Sequence, residues 1–427
     1  MVLHKVSPLL PESESNRPSF VPKVVSIGPY HHGDPRLAAM EPYKIQASKE
    51  YGVAACKMVR GMAESVRKMY EIDPDNEMDP NKFADMLFHD ACFVVHFISY
   101  YRNLPDPSRK PAAMDRPDYQ SSTQGSTTTG QAASSEGFVV RDLFLLENQL
   151  PYTVLKTVVS VKNSLSFDED LQKFIGNVSH NNDKERAKDV VTRAAGTDNA
   201  KYPDEYRIDM SGVHAEHLLD MLHQMLINPE TCYGGGTPAE DGWDTLKFRS
   251  VMELTEAGIK FKPNKIGNLT DVKYKGGCLR GTVSLPRMII DDSTKSNFLN
   301  LMALEMCPKG KRGYGVTSYI CLLDNLIDHA DDVRELRKRN VLVNFLGSDE
   351  QVADLFNELA TDRTPHPNAY RDTITGIHNH LKNPYKVTFA TTINTHFNTP
   401  WSIVATVAAT AGLALSAVQA GYAVKQG

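Results

Sequence analysis

The sequence has no dense run of lysine or arginine, and its formal net charge at pH 7 is -5. Proteins that bind nucleic acids through the phosphate backbone carry a basic face, so this composition argues against a nucleic-acid partner. The first residues, MVLHKVSPLLPESESNRPSF, lack the apolar core of about 7–15 residues that a secretory signal peptide needs. We therefore expect the body of the protein to be cytosolic.

Metal and cofactor motifs are also missing. The six cysteines form no CxxC pair and lie near no histidine at zinc-finger spacing, which is typical of buried thiols. YGGGT at 233–237 lacks the Lys-Ser/Thr of a phosphate-binding loop and is interpreted as a linker. His214, His217 and Asp220 would form only a loose stripe, which indicates a solvated helix face rather than a metal site. We expect no metal and no cofactor.

Charged residues are absent from one long stretch, 401–424, WSIVATVAATAGLALSAVQAGYAV. As a helix it would be about 36 Å long, enough to cross a bilayer, and it predicts one C-terminal transmembrane helix. Trp401 and Tyr422 lie near its two ends, where aromatic rings favour the membrane interface. A small-residue stripe that favours helix–helix association runs through Ala408, Gly412, Ser416 and Ala420. The alternative is a buried, alanine-rich core helix. The sequence does not distinguish plasma membrane from endomembrane.

The rest of the chain predicts a mainly α fold. Helical periodicity fills most of a body at 18–395, which follows a flexible N-terminus at 1–17. Pro-, Ser-, Thr- and Gly-rich or highly polar stretches predict flexible insertions at about 103–136 and 180–204. Alternating β-branched residues and glycine turns predict a small antiparallel β insert at about 246–291.

One short motif contains paired histidines. SIGPYHHG includes Gly28, Pro29, Tyr30, His31, His32 and Gly33. Neighbouring residues in a turn seldom converge on one metal, and the local sequence has no partner base or nucleophile. We interpret the motif as a fixed chain reversal whose histidines bind carbonyls or a carboxylate such as Glu41. It is followed by a helix capped by Asp34 and opened by Pro35, with a kink or restart at Pro42.

A second motif, DLFLLENQLP, is predicted to be the end of a helix that starts near Phe138. Its polar residues fall where helical carbonyls lose their partners, so we expect a network that joins two segments. Those residues are Asp142, Glu147, Asn148 and Gln149, followed by Pro151. The alternative to this structural role is that Glu147 acts as a general acid in a pocket.

These motifs closely resemble those of a large plant family of membrane-anchored proteins of uncharacterised activity, domain of unknown function 247. The resemblance is carried by PSFVPKVVSIGPYHHGDPRLAAMEPYK, MLFHDACFVVHFI and DLFLLENQLPYTVL. ELTEAGIKFK, VTSYICLLDNLID, NFLGSDEQVADLFNEL and HFNTPW are also similar, and the resemblance runs from about Pro18 to Gln419.

The resemblance implies a helical body with one C-terminal membrane helix and no known enzyme activity. Some members at grass self-incompatibility loci are regarded as pollen-side recognition determinants. We therefore expect a non-enzymatic, membrane-anchored protein that recognises a protein partner. The competing hypothesis is a hydrolase or transferase of unfamiliar type that uses His31, His32 and Glu147 in one pocket.

Overall fold

The structure is a computed structural model that describes residues 2–7, 10, 15–72, 78–102, 129–162, 167–178, 215–228, 249–264, 268–308, 313–396, 408–419 and 421. The predicted insertion at 180–204 and the YGGGT linker lie outside these residues. The predicted insertion at 103–136 lies partly outside them, and the described part begins a helix at Thr129. Local composition lowers helix propensity there without forbidding a helix.

The N-terminal half is built around one long helix, Pro80–Arg102. Its helices are α1 (Glu41–Ser48), α2 (Gly52–Arg67), α3 (Pro80–Arg102), α4 (Thr129–Asp142), α5 (Tyr152–Val161) and α6 (Phe167–Val178). α3 packs against α1, α2, α5 and α6, which explains why apolar residues occur on several of its sides. Two short 3-10 helices, Arg17–Ser19 and Pro35–Met40, precede them.

The predicted cap and restart after the SIGPYHHG motif are confirmed. The Asp34 carboxylate accepts a hydrogen bond from the backbone N–H of Arg36, with Pro35 in the first turn. The 3-10 helix ends at Met40, and α1 begins at Glu41 with Pro42 in its own first turn. Proline fits there because the first N–H groups of a helix have no intrahelical partner.

The C-terminal half is also mainly helical. Its helices are α7 (Leu218–Leu226), α8 (Val251–Glu256), α9 (Thr294–Glu305), α10 (Gly315–Leu326), α11 (Ala330–Lys338), α12 (Asp349–Ala360), α13 (Arg371–Leu381) and α14 (Pro384–His396). α12 packs against α10 and α11, while α13 packs against a small sheet. Buried side chains from both halves form one continuous apolar cluster, which extends from Leu3 to Ile377.

The β insert exists, but the prediction that it is antiparallel was wrong. β1 (Ile259–Pro263), β2 (Lys273–Gly276) and β3 (Gly281–Leu285) form one sheet in the order β1-β3-β2. β2 is antiparallel to β3, whereas β1 is parallel to it. β4 (Met288–Ile290) pairs in parallel with the distant β5 (Leu342–Asn344). Strand alternation indicates which face is buried, but it does not specify the partner or its direction.

The prediction that the DLFLLENQLP segment is the end of a helix was wrong. α4 ends at Asp142, and residues 143–151 form successive turns. The Asn148 side chain donates to the Asp142 carbonyl, and the Gln149 side chain donates to the carbonyls of Leu143 and Leu145. Because side-chain amides bind these carbonyls, they replace the backbone N–H donors that a continuing helix would need.

The predicted transmembrane segment lies partly outside the described residues, which do not include Trp401, Ala420 or Tyr422. Residues 408–419 are helical and exposed along their whole length. No helix within the described ranges is both long enough and apolar enough to cross a bilayer. Large apolar side chains on this short helix point to solvent, with exposed fractions of 72% for Leu413 and 64% for Leu415.

The cysteine prediction is confirmed for three thiols. Cys92, Cys307 and Cys321 are buried, whereas Cys56 is partly buried and Cys278 is exposed at the turn between β2 and β3. All five of these described cysteines are free thiols.

Candidate functional site

The SIGPYHHG motif forms a tight chain reversal between the first 3-10 helix and α1. Gly28 and Gly33 have φ values of +76° and +84°, in the region that glycine enters most easily. The backbone N–H of His32 donates to the Pro29 carbonyl, and that of Asp34 donates to the His31 carbonyl. The predicted fixed turn is therefore observed.

Asp142 holds the chain just before this turn. Its Oδ2 atom accepts hydrogen bonds from the backbone N–H groups of Lys23, Val24 and Val25, at 2.9, 2.7 and 3.1 Å. The Arg141 guanidinium lies 3.0 Å from its Oδ1 atom and also donates to the Pro18 and Val21 carbonyls. Burial raises the pKa of Asp142, and the three N–H donors and Arg141 act against that rise.

Asn148 continues the same pattern by pairing with the backbone of the motif. Its Oδ1 atom accepts from the Ile27 N–H at 2.6 Å, and its amide donates to the Val25 carbonyl at 3.0 Å. The Asn148 side chain therefore reproduces the pairing of a neighbouring β-strand. The side chains of Asp142 and Asn148 together hold the backbone of residues 23–27 in place.

Gln149 joins the DLFLLENQLP segment to α7. Its Oε1 atom accepts from the Leu219 N–H at 3.1 Å, while its backbone carbonyl accepts from the Tyr70 hydroxyl at 2.9 Å. Nearby, the Leu146 N–H donates to the Asn300 side chain, which also donates to the Ser19 carbonyl. These bonds confirm that the polar residues of the motif join separate segments.

A buried ion pair supports the turn from the opposite side. The Asp90 Oδ2 atom accepts from the Gly28 N–H at 2.8 Å, and its Oδ1 atom lies 2.8 Å from the Lys44 Nζ. Lys44 also donates to Glu41 at 2.6 Å and to Ser26 at 3.1 Å. Burial opposes the charged form of Lys44, but Asp90 and Glu41 outweigh it and raise the pKa of this amine. Glu41 therefore pairs with Lys44, and the expectation that it binds a motif histidine was wrong.

Residues 2–7, which we call the N-terminal strap, lie over the motif. The Val6 N–H donates to Glu147 Oε1 at 2.7 Å, and the Tyr30 hydroxyl donates to the Leu3 carbonyl at 2.5 Å. The Tyr30 oxygen also accepts from the Glu71 N–H at 2.8 Å. Three separate chain segments therefore meet at Tyr30.

His31 and Glu147 approach each other beneath the strap. The His31 Nε2 and Glu147 Oε2 atoms are 3.7 Å apart, with exposed side-chain fractions of 16% and 22%. Burial lowers the pKa of His31 and raises that of Glu147, so it favours the neutral form of both groups. The predicted third member of the pocket, His32, has a buried Nδ1 atom that no described group hydrogen-bonds.

The His214–Asp220 stripe is not a solvated face. His217 and Asp220 are both 2% exposed, and His217 Nδ1 accepts from the Asp220 N–H as the N-terminal cap of α7. His214 lies outside the described residues. Within the ranges that the structure describes, no three His, Cys, Asp or Glu side chains are grouped to hold a metal ion.

Lys44, Asp90 and Asn300 also belong to the site, although the sequence did not predict them. Each is fully or almost fully buried. Charged or amide side chains within apolar helical segments, such as FHDACF and NFLNLM, were the available signal, because such residues are seldom buried without a partner. Their partners come from distant segments, and local sequence does not identify them.

The chain belongs to the plant protein family of unknown function DUF247, whose family model matches residues 3–415. It is similar to a UPF0481 protein of Arabidopsis thaliana, with 24% identity over 96% of this chain and 83% of that protein. It is also 29% identical to a putative UPF0481 protein of the same plant, over 41% of this chain and 33% of the relative. No solved structure matches the chain.

Proposed function

We propose that the protein is a membrane-attached, non-enzymatic recognition protein whose helical body presents a surface to a protein partner. The observation that carries this proposal is that buried polar groups in and beside the two motifs bind the backbone. Asp142, Asn148 and Asp90 are at most 1% exposed and bind backbone N–H groups of residues 23–28. Such side chains stabilise a scaffold. We infer that the loops supported by this scaffold contact the partner.

Membrane attachment is proposed from the uncharged C-terminal stretch. The described helix at 408–419 exposes Leu413, Leu415 and Val418, which is unfavourable in water and favourable in lipid. The Ser416 hydroxyl donates to the Gly412 carbonyl of its own helix at 2.9 Å, so its polar group is satisfied without water. The full stretch at 401–424 is long enough to span a bilayer if it is helical throughout.

Recognition is proposed for the loops that the sequence predicts around 103–136 and 180–204. Loops on a fixed scaffold tolerate change, so they can diversify without loss of the fold. The family resemblance adds pollen-side self-incompatibility as one role of this kind. The small-residue stripe that includes Ala408 and Gly412 is a proposed contact for self-association.

Two experiments test the proposal with the full-length chain. Proximity labelling in the native cell type should recover a specific protein neighbour, and exchange of residues 103–128 for a glycine-serine linker should remove it. A matched linker exchange of residues 229–248 is the control. Loss of the neighbour in both variants, or in neither, contradicts loop recognition.

Attachment is tested by alkaline carbonate extraction. The full chain should stay with membranes, and a triple change of Leu413, Leu415 and Val418 to Ser should release it. Release of the unaltered chain would contradict membrane attachment.

One observation favours the competing enzyme hypothesis, namely the 3.7 Å approach of His31 to Glu147. That distance allows a proton to pass between them through a small adjustment. If the pair is catalytic, His31→Gln and Glu147→Gln should each abolish hydrolysis of activated ester or phosphate substrates by the full chain. Hydrolysis that is absent, or unchanged in both variants, would contradict this hypothesis.

A further inference from the structure

The outer face of the three-stranded sheet carries four lysines in a regular array. Side chains that are paired across neighbouring strands lie on the same face of a sheet. The register places Lys260, Thr282 and Lys275 in one row and Lys262, Ser284 and Lys273 in the next. We call the four lysines Lys260, Lys262, Lys273 and Lys275 the lysine face.

The two faces of this sheet differ in burial. Ile259, Phe261 and Val283 on the inner face are at most 3% exposed and belong to the core. All four lysines on the outer face are exposed. Among the described residues, Lys273 pairs with Asp271, while no carboxylate pairs with Lys260, Lys262 or Lys275. Most of the positive charge on this face is therefore not neutralised.

The lysine face is small. Two strand spacings separate Lys260 from Lys275, about 10 Å, and two residues separate Lys260 from Lys262, about 7 Å. The hydroxyl residues Thr282 and Ser284 of β3 lie between the lysines, so no two lysines are direct cross-strand neighbours. These spacings are close to the Debye length of about 8 Å in physiological salt, so repulsion between the exposed lysines is partly screened.

We propose that the lysine face binds the surface of an anionic lipid membrane. Several lysines on one sheet face fit a diffuse negative charge, because an ammonium group is a point charge without the fixed fork of arginine. Leu279, which is 40% exposed, and the exposed Arg280 extend the surface at the turn between β2 and β3. The face has no aromatic side chain on which a nucleic-acid base would stack, which favours lipid over a single-stranded nucleic acid.

The position of the sheet in the chain supports this partner. Lys386 of α14 donates to the Gly277 carbonyl at 2.9 Å, which joins the turn between β2 and β3 to α14. The twelve chain steps from the end of α14 at His396 to residue 408 span at most about 43 Å. From Lys386 to His396, α14 adds about 15 Å. An inserted tail would therefore hold the sheet within about 60 Å of lipid, an inference that rests on the membrane attachment proposed above.

The test is flotation of the full-length chain with phosphatidylcholine vesicles, alone or containing phosphatidylserine. We compare the unaltered chain with K260Q/K262Q/K275Q and with the matched control K57Q/K82Q/K338Q, whose three lysines are exposed elsewhere. Each lysine near an anionic surface is worth about a fivefold change in binding. The gain is the increase in vesicle binding that phosphatidylserine produces. It should fall about 100-fold in the first variant and remain in the control. In the unaltered chain it should weaken when NaCl rises from about 50 to about 300 mM.

Several outcomes would overturn the proposal. One is an equal phosphatidylserine-dependent gain in the two lysine variants. Another is loss of that gain when inorganic phosphate or an acidic polypeptide competes at constant ionic strength. Lysines on edge strands can also serve only to prevent strand-to-strand aggregation. In that case the K260Q/K262Q/K275Q variant would aggregate in size-exclusion chromatography but would still prefer vesicles that contain phosphatidylserine.

A further variant distinguishes failure of tail attachment from failure of the lysine face. The triple change of Leu413, Leu415 and Val418 to Ser should remove binding to pure phosphatidylcholine and keep the phosphatidylserine-dependent gain. Loss of the gain in this variant, with no effect of the lysine changes, would place all membrane affinity in the tail and overturn the lysine face.

Discussion

A Cβ atom on Gly28 would lie 2.9 Å from the backbone carbonyl oxygen of Gln149. That carbonyl also accepts a hydrogen bond from the Tyr70 hydroxyl. The SIGPYHHG turn and the DLFLLENQLP segment therefore meet backbone to backbone, at a separation that requires glycine. This contact explains why the two motifs act as one structural unit.

Gly28→Ala is expected to lower the free energy of unfolding by about 3 kcal/mol or more, because a positive φ and a backbone clash are both introduced. Gly33→Ala is the matched control, since Gly33 also has a positive φ but its added Cβ would meet no atom within 4 Å. It should cost only about 1–2 kcal/mol. Urea unfolding followed by circular dichroism measures both. Equal losses in the two variants would contradict the backbone contact.

Asp142→Ala is expected to cost about 3–5 kcal/mol, because three backbone N–H groups and the Arg141 charge lose a buried acceptor. Asp34→Ala removes an aspartate that also accepts from a backbone N–H, but at a partly exposed helix start, and should cost about 1 kcal/mol. Thermal unfolding of the two variants compares these values. A loss at position 142 no larger than that at position 34 would show that Asp142 does not hold the segment.

Stability is expected to depend on pH through Glu147. Burial raises its pKa in the folded state above the ordinary value of 4.5, so the folded state binds the proton more tightly than the unfolded state does. The stabilisation that this provides is complete below pH 4.5 and is lost as pH rises through the folded-state pKa. Glutamine does not titrate and keeps an acceptor for the Val6 N–H.

Glu147→Gln should therefore gain stability relative to the unaltered chain as pH rises above 4.5, until the difference becomes constant. Urea unfolding at several pH values measures this difference. Glu64→Gln, at a glutamate whose side chain is 86% exposed, is the control for the loss of one charge. Parallel stability curves for Glu147→Gln and the unaltered chain would refute the prediction.

Tyr30→Phe is expected to release the N-terminal strap, because the variant loses the hydroxyl that bonds both the Leu3 carbonyl and the Glu71 N–H. Trypsin cleavage after Lys5 should become about 5- to 30-fold faster if about 1–2 kcal/mol of hydrogen bonding is lost. Tyr385→Phe, at a tyrosine that is 82% exposed, should leave the rate unchanged. Equal cleavage rates in both variants would show that Tyr30 does not hold the strap.

The sequence alone determined the helical character of the body, several helix bounds and the turn at Gly28–Gly33. The helix start at Pro35 and the restart at Pro42 were predicted where the structure places them. These features depend on local physics, namely apolar periodicity, a proline in the first turn and glycine at positive φ.

Only the tertiary structure decided which groups meet. The segment at 143–151 turns because side chains of Asn148 and Gln149 take the carbonyls of the preceding residues. The sheet is mixed because β1 pairs with β3, and Glu41 binds Lys44 beside Asp90. The Lys44–Asp90 and β1–β3 pairings join residues that are distant in the chain. The shorter-range pairs depend on burial by the surrounding segments, which no local pattern reports.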